Sequence, residues 1–212
     1  LCFGGVAEPF SHPELLKMLR AAKDTGKRVE LITNGIFLNR EVIQELFEMQ
    51  LDMLWVSLDG ADADSYEGIR QDSDYKLVTD QLLQFSLARI RGGHQTKLGL
   101  AFVAMKSNIH QLSKVIELAN FLKAAELKVT NVLPYSKEIS EEILYRKRLY
   151  DLCYNEKLMN ADTEQCPVGQ LPIMDFDEPE VIDSVGEILK QARLLQIGEN
   201  PVTRKGDHCR FV

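Results

Sequence analysis

Residues 28–35 read RVELITNG, and residues 53–60 read MLWVSLDG. Each is a short apolar run that stops at a polar residue followed by glycine. Between them Val42, Ile43, Leu46 and Phe47 recur at helical spacing, over about Arg40 to Met49, as on one face of an amphipathic helix. A strand, a helix and a second strand, with turn residues closing each strand, predict parallel strands joined by a crossover helix.

The same rhythm extends both ways. Upstream, Leu1-Cys2-Phe3 is stopped by Gly4-Gly5. Ser11-His12-Pro13-Glu14 then reads as a capping box, with Ser11 capping a helix and Glu14 reaching back. Leu15, Leu16, Leu19 and Ala22 form its stripe, and Gly26 suits its stop. Downstream, helical patterns run through Tyr66 and from about Tyr75 to Arg91, followed by a strand over Lys97 to Met105. Asn108, with Gln111 three residues on, is the expected cap of a helix striped by Leu112, Val115, Ile116, Ala119 and Leu122. Lys128 to Leu133 is a fifth strand, closed by Pro134.

Right-handed crossovers turn such a series into a doubly wound sheet or a barrel. In either fold ligands sit at the C-terminal ends of the strands. That gathers residues 4–8, Thr33-Asn34-Gly35, Ser57-Leu58-Asp59-Gly60, residues 106–108 and Leu133-Pro134 on one rim. Past Pro134 the rhythm changes. A charged helical stretch covers Glu138 to Tyr150, a loop-like one residues 151–177, and Val181, Ile182, Val185, Ile188, Leu189, Ala192 and Leu195 mark another amphipathic helix.

The chain has 212 residues, 45% hydrophobic and 27% charged, with a net charge of −7 and a pI near 5.2. These are the proportions of a globular domain large enough to bury a core. The acidic balance argues against general nucleic-acid binding, which favours a basic surplus. No apolar run approaches the roughly 20 residues that cross a bilayer, so no membrane partner is expected. Four cysteines, Cys2, Cys153, Cys166 and Cys209, are too few for a disulfide scaffold in a chain this long. They suit a reducing compartment, and the expected location is cytoplasmic.

Phe3 to Pro9 (FGGVAEP), Thr33 to Gly35 (TNG) and Val56 to Gly60 (VSLDG), each at the end of successive strands, together resemble the radical S-adenosylmethionine (radical SAM) family. FGGVAEP is similar to the family's glycine-glycine-glutamate motif, with Ala7 where glycine is frequent. The resemblance covers about residues 1–134 and implies a partial (β/α)6 TIM-like barrel, strands two to six of the radical SAM core. The family's Cys-x3-Cys-x2-Cys loop is not in this sequence; it lies upstream of the glycine motif, so truncation is the expected reason. Cys209-Arg210-Phe211 resembles the entry to a SPASM-type extension, which binds auxiliary iron–sulfur clusters. The expected organisation is residues 1–134 as core barrel, 135–205 as its C-terminal helical part and linker, and 206–212 as the start of that extension.

The resemblance also implies a chemistry. A 4Fe–4S cluster on three cysteines leaves one iron open to S-adenosylmethionine, and reduction cleaves the sulfonium to a 5′-deoxyadenosyl radical. The parent enzyme would modify a peptide, protein or metallocofactor precursor, drawing electrons from a donor such as ferredoxin or flavodoxin. The 212-residue chain alone would be inactive. Glu8, with carbonyls near Gly4 and Gly5, would accept hydrogen bonds from the cofactor's ammonium group, and glycine lets the backbone come close. Ser57 and Asp59, on one face of a strand end, would take ribose hydroxyls or the methionine end; alternatively Asp59 caps the next helix. Asn34 would line the pocket or occupy a tight turn. Arg70 would meet the cofactor carboxylate or lie on the surface. Val132 and Leu133 would pack beside adenine or serve only the strand, and Asn108 is a helix cap before it is a ligand contact. Cys209 is the candidate auxiliary-cluster ligand. Trp55 and Cys2 read as buried, Cys153 and Cys166 as inert thiols, and His12 and His110 as structural or exposed. Two rival readings remain: a non-catalytic radical SAM-like scaffold, and an unrelated barrel enzyme binding a small phosphorylated ligand, for which residues 128–140 offer no glycine-rich phosphate loop.

Overall fold

The computed structural model of the chain describes residues 1–5, 7–133 and 136–144. Five strands, β1 (Cys2–Phe3), β2 (Glu30–Thr33), β3 (Met53–Ser57), β4 (Lys97–Ala104) and β5 (Glu126–Asn131), form one sheet in the order of the sequence. They alternate with α1 (Leu15–Asp24), α2 (Arg40–Glu48), α3 (Ala63–Ile69), α4 (Tyr75–Gly92) and α5 (Leu112–Phe121). A short α6 (Lys137–Glu141) follows β5. Pairing is parallel, with Phe3 opposite Leu31, Ile32 opposite Trp55 and Trp55 opposite Gly99. An order that never reverses is how strands wind toward a barrel; a doubly wound sheet turns back at a switch point. The fold is α/β, part of a TIM-like barrel.

Leu1–Phe102 with Lys114–Lys128 make one compact unit; Val103–Ser113 belong to a second, which resumes at Val129. The first unit holds the sheet core. Met53, Leu54, Trp55 and Val56 are all buried, as a parallel strand covered on both faces requires. Leu19, Leu31, Leu46, Leu82, Phe85 and Leu98 are wholly buried around them, each contributing about 1.5–3 kcal/mol. Trp55 is core as read, its indole N–H donating to Glu30 Oε2 at 2.8 Å, with the Lys128 ammonium 4.9 Å from the ring centroid.

Several local expectations fail. The Ser11 capping box does not form. Ser11 ends a 3-10 turn, Pro9–Ser11, its hydroxyl donates to Glu8 O at 2.6 Å, and α1 starts after Glu14 with no side-chain cap. β5 begins two residues before Lys128 and ends at Asn131, and α6 breaks off at Glu141, the last part of the stretch expected over Glu138 to Tyr150 (residues 145–150) lying outside the described residues. Cys2 is exposed, because the edge strand β1 is two residues long and little covers it. In the second unit Asn108 is fully buried but caps nothing with its side chain. Its Oδ1 accepts from Met105 N–H at 2.8 Å and its Nδ2 donates to Val103 O at 2.9 Å, which closes the loop after β4. Among the described residues no helix is long and apolar enough to cross a membrane.

Candidate functional site

In the first unit, the exits of β1, β2 and β3 stand side by side. At the exit of β1 a Cβ on Gly4 would lie 2.9 Å from the Cβ of Ile32 on β2, so only glycine allows so close an approach. Gly5 has φ +154°, which side-chain-bearing residues rarely adopt, and faces open space. The chain then folds Glu8 back over the exit of β2.

The Glu8 carboxylate gathers three donors. Phe10 N–H donates to Oε1 at 3.2 Å, capping the 3-10 turn, and the Thr33 hydroxyl donates to the same oxygen at 2.6 Å. Asn34 N–H donates to Oε2 at 2.7 Å. Thr33 is 2% exposed and its Oγ1 also accepts from Gly35 N–H at 3.1 Å. Asn34 occupies a tight turn, its Oδ1 accepting from Ile36 N–H at 3.0 Å. The side-chain oxygen serves the turn, and the backbone N–H is what reaches Glu8.

A second pair forms beyond β3. Asp59 is 3% exposed, and its Oδ2 accepts from Arg70 Nε at 2.8 Å and Nη2 at 2.7 Å. Asp59 does not cap α3. That cap is Asp62, whose Oδ1 accepts from Ser65 N–H at 2.9 Å. A helix starting at residue 63 needs its acceptor immediately before it, and Asp59 lies too far upstream. Tyr66 of α3 is wholly buried, and among the described residues its hydroxyl has no hydrogen-bond partner. Burial above all, with the charges of Asp59 and Glu67, pushes its phenol up against the pull of Arg70. Ser57 ends β3 half-buried.

No protein-family model matches the chain. A tungsten-containing aldehyde ferredoxin oxidoreductase cofactor-modifying protein of Pyrococcus furiosus is 27% identical over 207 residues, 91% of this chain and 57% of that one. PqqA peptide cyclase of Rhodopseudomonas palustris is 28% identical over 141 residues, 60% of this chain and 33% of that one. The crystal structure of Streptococcus suis SuiB bound to S-adenosylmethionine shares the fold with a TM-score of 0.51 at 16% identity, over 62% of this chain and 29% of SuiB. These relatives bear out the resemblance to the radical SAM superfamily, and the solved structure shares its fold. The chain spans only part of the length of these relatives.

A radical SAM protein must hold a zwitterionic amino-acid end, and the first unit has groups of that kind to spare. A carboxylate has about four lone-pair sites, and three donors occupy those of Glu8. Among the described residues that leaves one acceptor position on the carboxylate. Arg70 turns Nε and Nη2 to Asp59 and, about a quarter exposed, keeps further N–H donors for a carboxylate. S-adenosylmethionine therefore fits the residues present. A 4Fe–4S cluster does not fit the described ones, since no three His, Cys, Asp or Glu side chains among them converge on a metal site and Cys2 is exposed. Cys153, Cys166 and Cys209 lie outside the described residues, as does Pro134. Leu133 belongs to the second unit, 46% exposed, beside a buried Val132. His12 and His110 are exposed.

The residue that sequence reasoning passed over is Thr33. Its signal was present: a hydroxyl at the last position of β2, one residue before Asn34, on the strand adjacent to the one that delivers Glu8.

Proposed function

We propose that this chain is the S-adenosylmethionine-holding part of a radical SAM enzyme that modifies a peptide or a cofactor precursor. The observation that carries it is the Glu8 carboxylate at the exit of β1, fixed by Thr33, Asn34 and Phe10 with one acceptor position left over among the described residues. Gly4 and Gly5 keep side chains away from that position, so their carbonyls join Glu8 around the cofactor ammonium. Arg70, oriented by the buried Asp59, pairs with the cofactor carboxylate. Ser57, at the end of β3, lies on the ribose side, and the Asn34 turn completes the lining in the first unit. S-adenosylmethionine held there by Glu8 and Arg70 would be the source of a radical for hydrogen abstraction, and the iron–sulfur ligands needed to reduce it would have to come from outside the described residues. Holding its two charged groups with opposite charges aims the carbon–sulfur bond, which is the task left to this part of the protein.

The substrate class rests on the relatives. One modifies a tungsten enzyme's cofactor, another cyclises the PqqA peptide, and SuiB has been crystallised with its precursor peptide SuiA. The cluster cysteines, a donor such as ferredoxin or flavodoxin, and a SPASM-type extension beginning at Cys209 belong to the same proposal, as does a cytoplasmic location. The test is anaerobic reduction of the full-length protein with S-adenosylmethionine. Methionine and 5′-deoxyadenosine are expected in equal amounts, and at least ~100-fold less from Glu8→Gln, given that transition-state positioning by one charged contact is worth about 3 kcal/mol. Full-length protein that forms neither product would leave the scaffold reading in its place.

A further inference from the structure

We infer that Thr33 is a positioning residue that acts through Glu8, fixing the carboxylate oxygen that receives the cofactor ammonium. The inference rests on the reading of Glu8 given above. A glutamate carboxylate rotates freely about its last torsion, which is broad and roughly two-fold. Here the β2 exit holds both oxygens at once: the Thr33 hydroxyl on Oε1 at 2.6 Å and the Asn34 N–H on Oε2 at 2.7 Å. Two adjacent residues of one strand end thus set the plane of the carboxylate.

The Thr33 hydroxyl has little freedom of its own. Its oxygen accepts from Gly35 N–H at 3.1 Å, so its proton is directed toward Glu8. The relay from Gly35 N–H through the Thr33 O–H to Glu8 Oε1 polarises each bond in turn. Thr33 is 2% exposed, so bulk water cannot readily take over its hydroxyl's role. Valine has nearly the same shape and lacks only the donor, whereas serine keeps it.

The experiment compares two ligands in the full-length protein without reductant. S-adenosylmethionine carries the amino-acid end; 5′-methylthioadenosine keeps the adenosine and the sulfur but lacks that end. Titration calorimetry of Thr33→Val is expected to show about ten-fold weaker binding of S-adenosylmethionine, ~1.4 kcal/mol, with methylthioadenosine unchanged. Thr33→Ser restores wild-type binding, and T33V added to Glu8→Gln causes no further loss, because the two act as one unit. If T33V does not fold, Thr33→Cys, with its weak donor, takes its place. Equal weakening of both ligands, or no weakening in T33V while Glu8→Gln loses S-adenosylmethionine selectively, overturns the role of Thr33. Failure of Glu8→Gln to discriminate, or wild-type protein binding neither ligand, overturns the reading of Glu8 itself and Thr33 with it.

Discussion

Asp59 is a carboxylate taken almost wholly out of water, 3% exposed, with the Arg70 guanidinium on one of its oxygens through Nε and Nη2. Removing one partner of a buried pair costs more than the pair contributes, because the other charge keeps its desolvation and loses an opposite charge. Arg70→Met is therefore expected to destabilise the chain by about 2 kcal/mol, below the ~3–5 of fully buried pairs because water partly reaches Arg70. Adding Asp59→Asn should recover part of the loss, since an amide is cheaper to leave without its cation. Urea unfolding of the two variants checks this; a double variant no better than R70M would show that Asp59 owes its burial to other partners. Residues at this scale were legible as chemistry more than as geometry. VSLDG placed Asp59 on the rim, and Arg70 stood out as a cation, but their mutual pairing joins positions eleven apart through α3 and no periodicity announces it. Likewise the motif containing Glu8 was plain, while the hydroxyl that orients it comes from the next strand.

Elements in the first unit are tied together at their starts by a few carboxylates. Asp52, just before β3, accepts Val29 N–H at 2.8 Å and the Lys23 ammonium at 2.6 Å on Oδ2, and its backbone O accepts Lys97 N–H at 3.1 Å. One residue thus joins the end of α1 to the starts of β2 and β4. Burial alone pushes Asp52 up, but the hydrogen bonds from Lys23 and Val29 and the charges of Lys23 and Arg28 outweigh it and hold the carboxyl below its usual range. Glu30 is held low in the same way: burial raises it, and the bonds from Trp55 and Arg28 with the charges of Arg28 and Lys128 prevail. A depressed folded pKa gives stability that is present above the unfolded value, about 3.9 for Asp and 4.3 for Glu, and is lost as pH falls through the folded value. The melting temperature should therefore fall steeply below about pH 4. Asp52→Asn should lower it at neutral pH and flatten that acid limb, read by circular dichroism melts across the range. Parallel pH curves for wild type and D52N would mean that Asp52 titrates alike in the folded and unfolded chain. Helical stripes were the most legible elements: Leu15, Leu19 and Ala22, and Ile43, Leu46 and Phe47, are the buried positions of α1 and α2. Their ends were less so, because ends are set by competition. Ser11 has the spacing of a cap, yet the turn nucleated by Glu8 and Pro9 claims its hydroxyl first.

At the scale of the whole molecule, alternation announces parallel strands with crossover helices but leaves a doubly wound sheet and a barrel open; the resemblance pointed to the barrel, and the unreversed order of the five strands agrees with it. What cannot follow from it is chemistry supplied from elsewhere. The cysteines of this chain, at positions 2, 153, 166 and 209, contain no Cys-x3-Cys-x2-Cys spacing, and three thiolates at close spacing are what an open-iron 4Fe–4S cluster needs. Under the proposed function the chain carries the grip on S-adenosylmethionine but not the ligands of the radical-generating cluster. The 212-residue chain, reconstituted with iron and sulfide, should therefore show none of the spectrum of a three-cysteine cluster that binds S-adenosylmethionine, and should release no 5′-deoxyadenosine on reduction. A longer natural chain that includes such a cysteine loop should do both, and Glu8→Gln in that chain should weaken S-adenosylmethionine binding while leaving the cluster's iron content unchanged. Iron content and cofactor affinity would then separate the two halves of the site: loss of iron in Glu8→Gln would place Glu8 in the support of the cluster loop, and cleavage by the 212-residue chain would require ligands that the family's motif does not include.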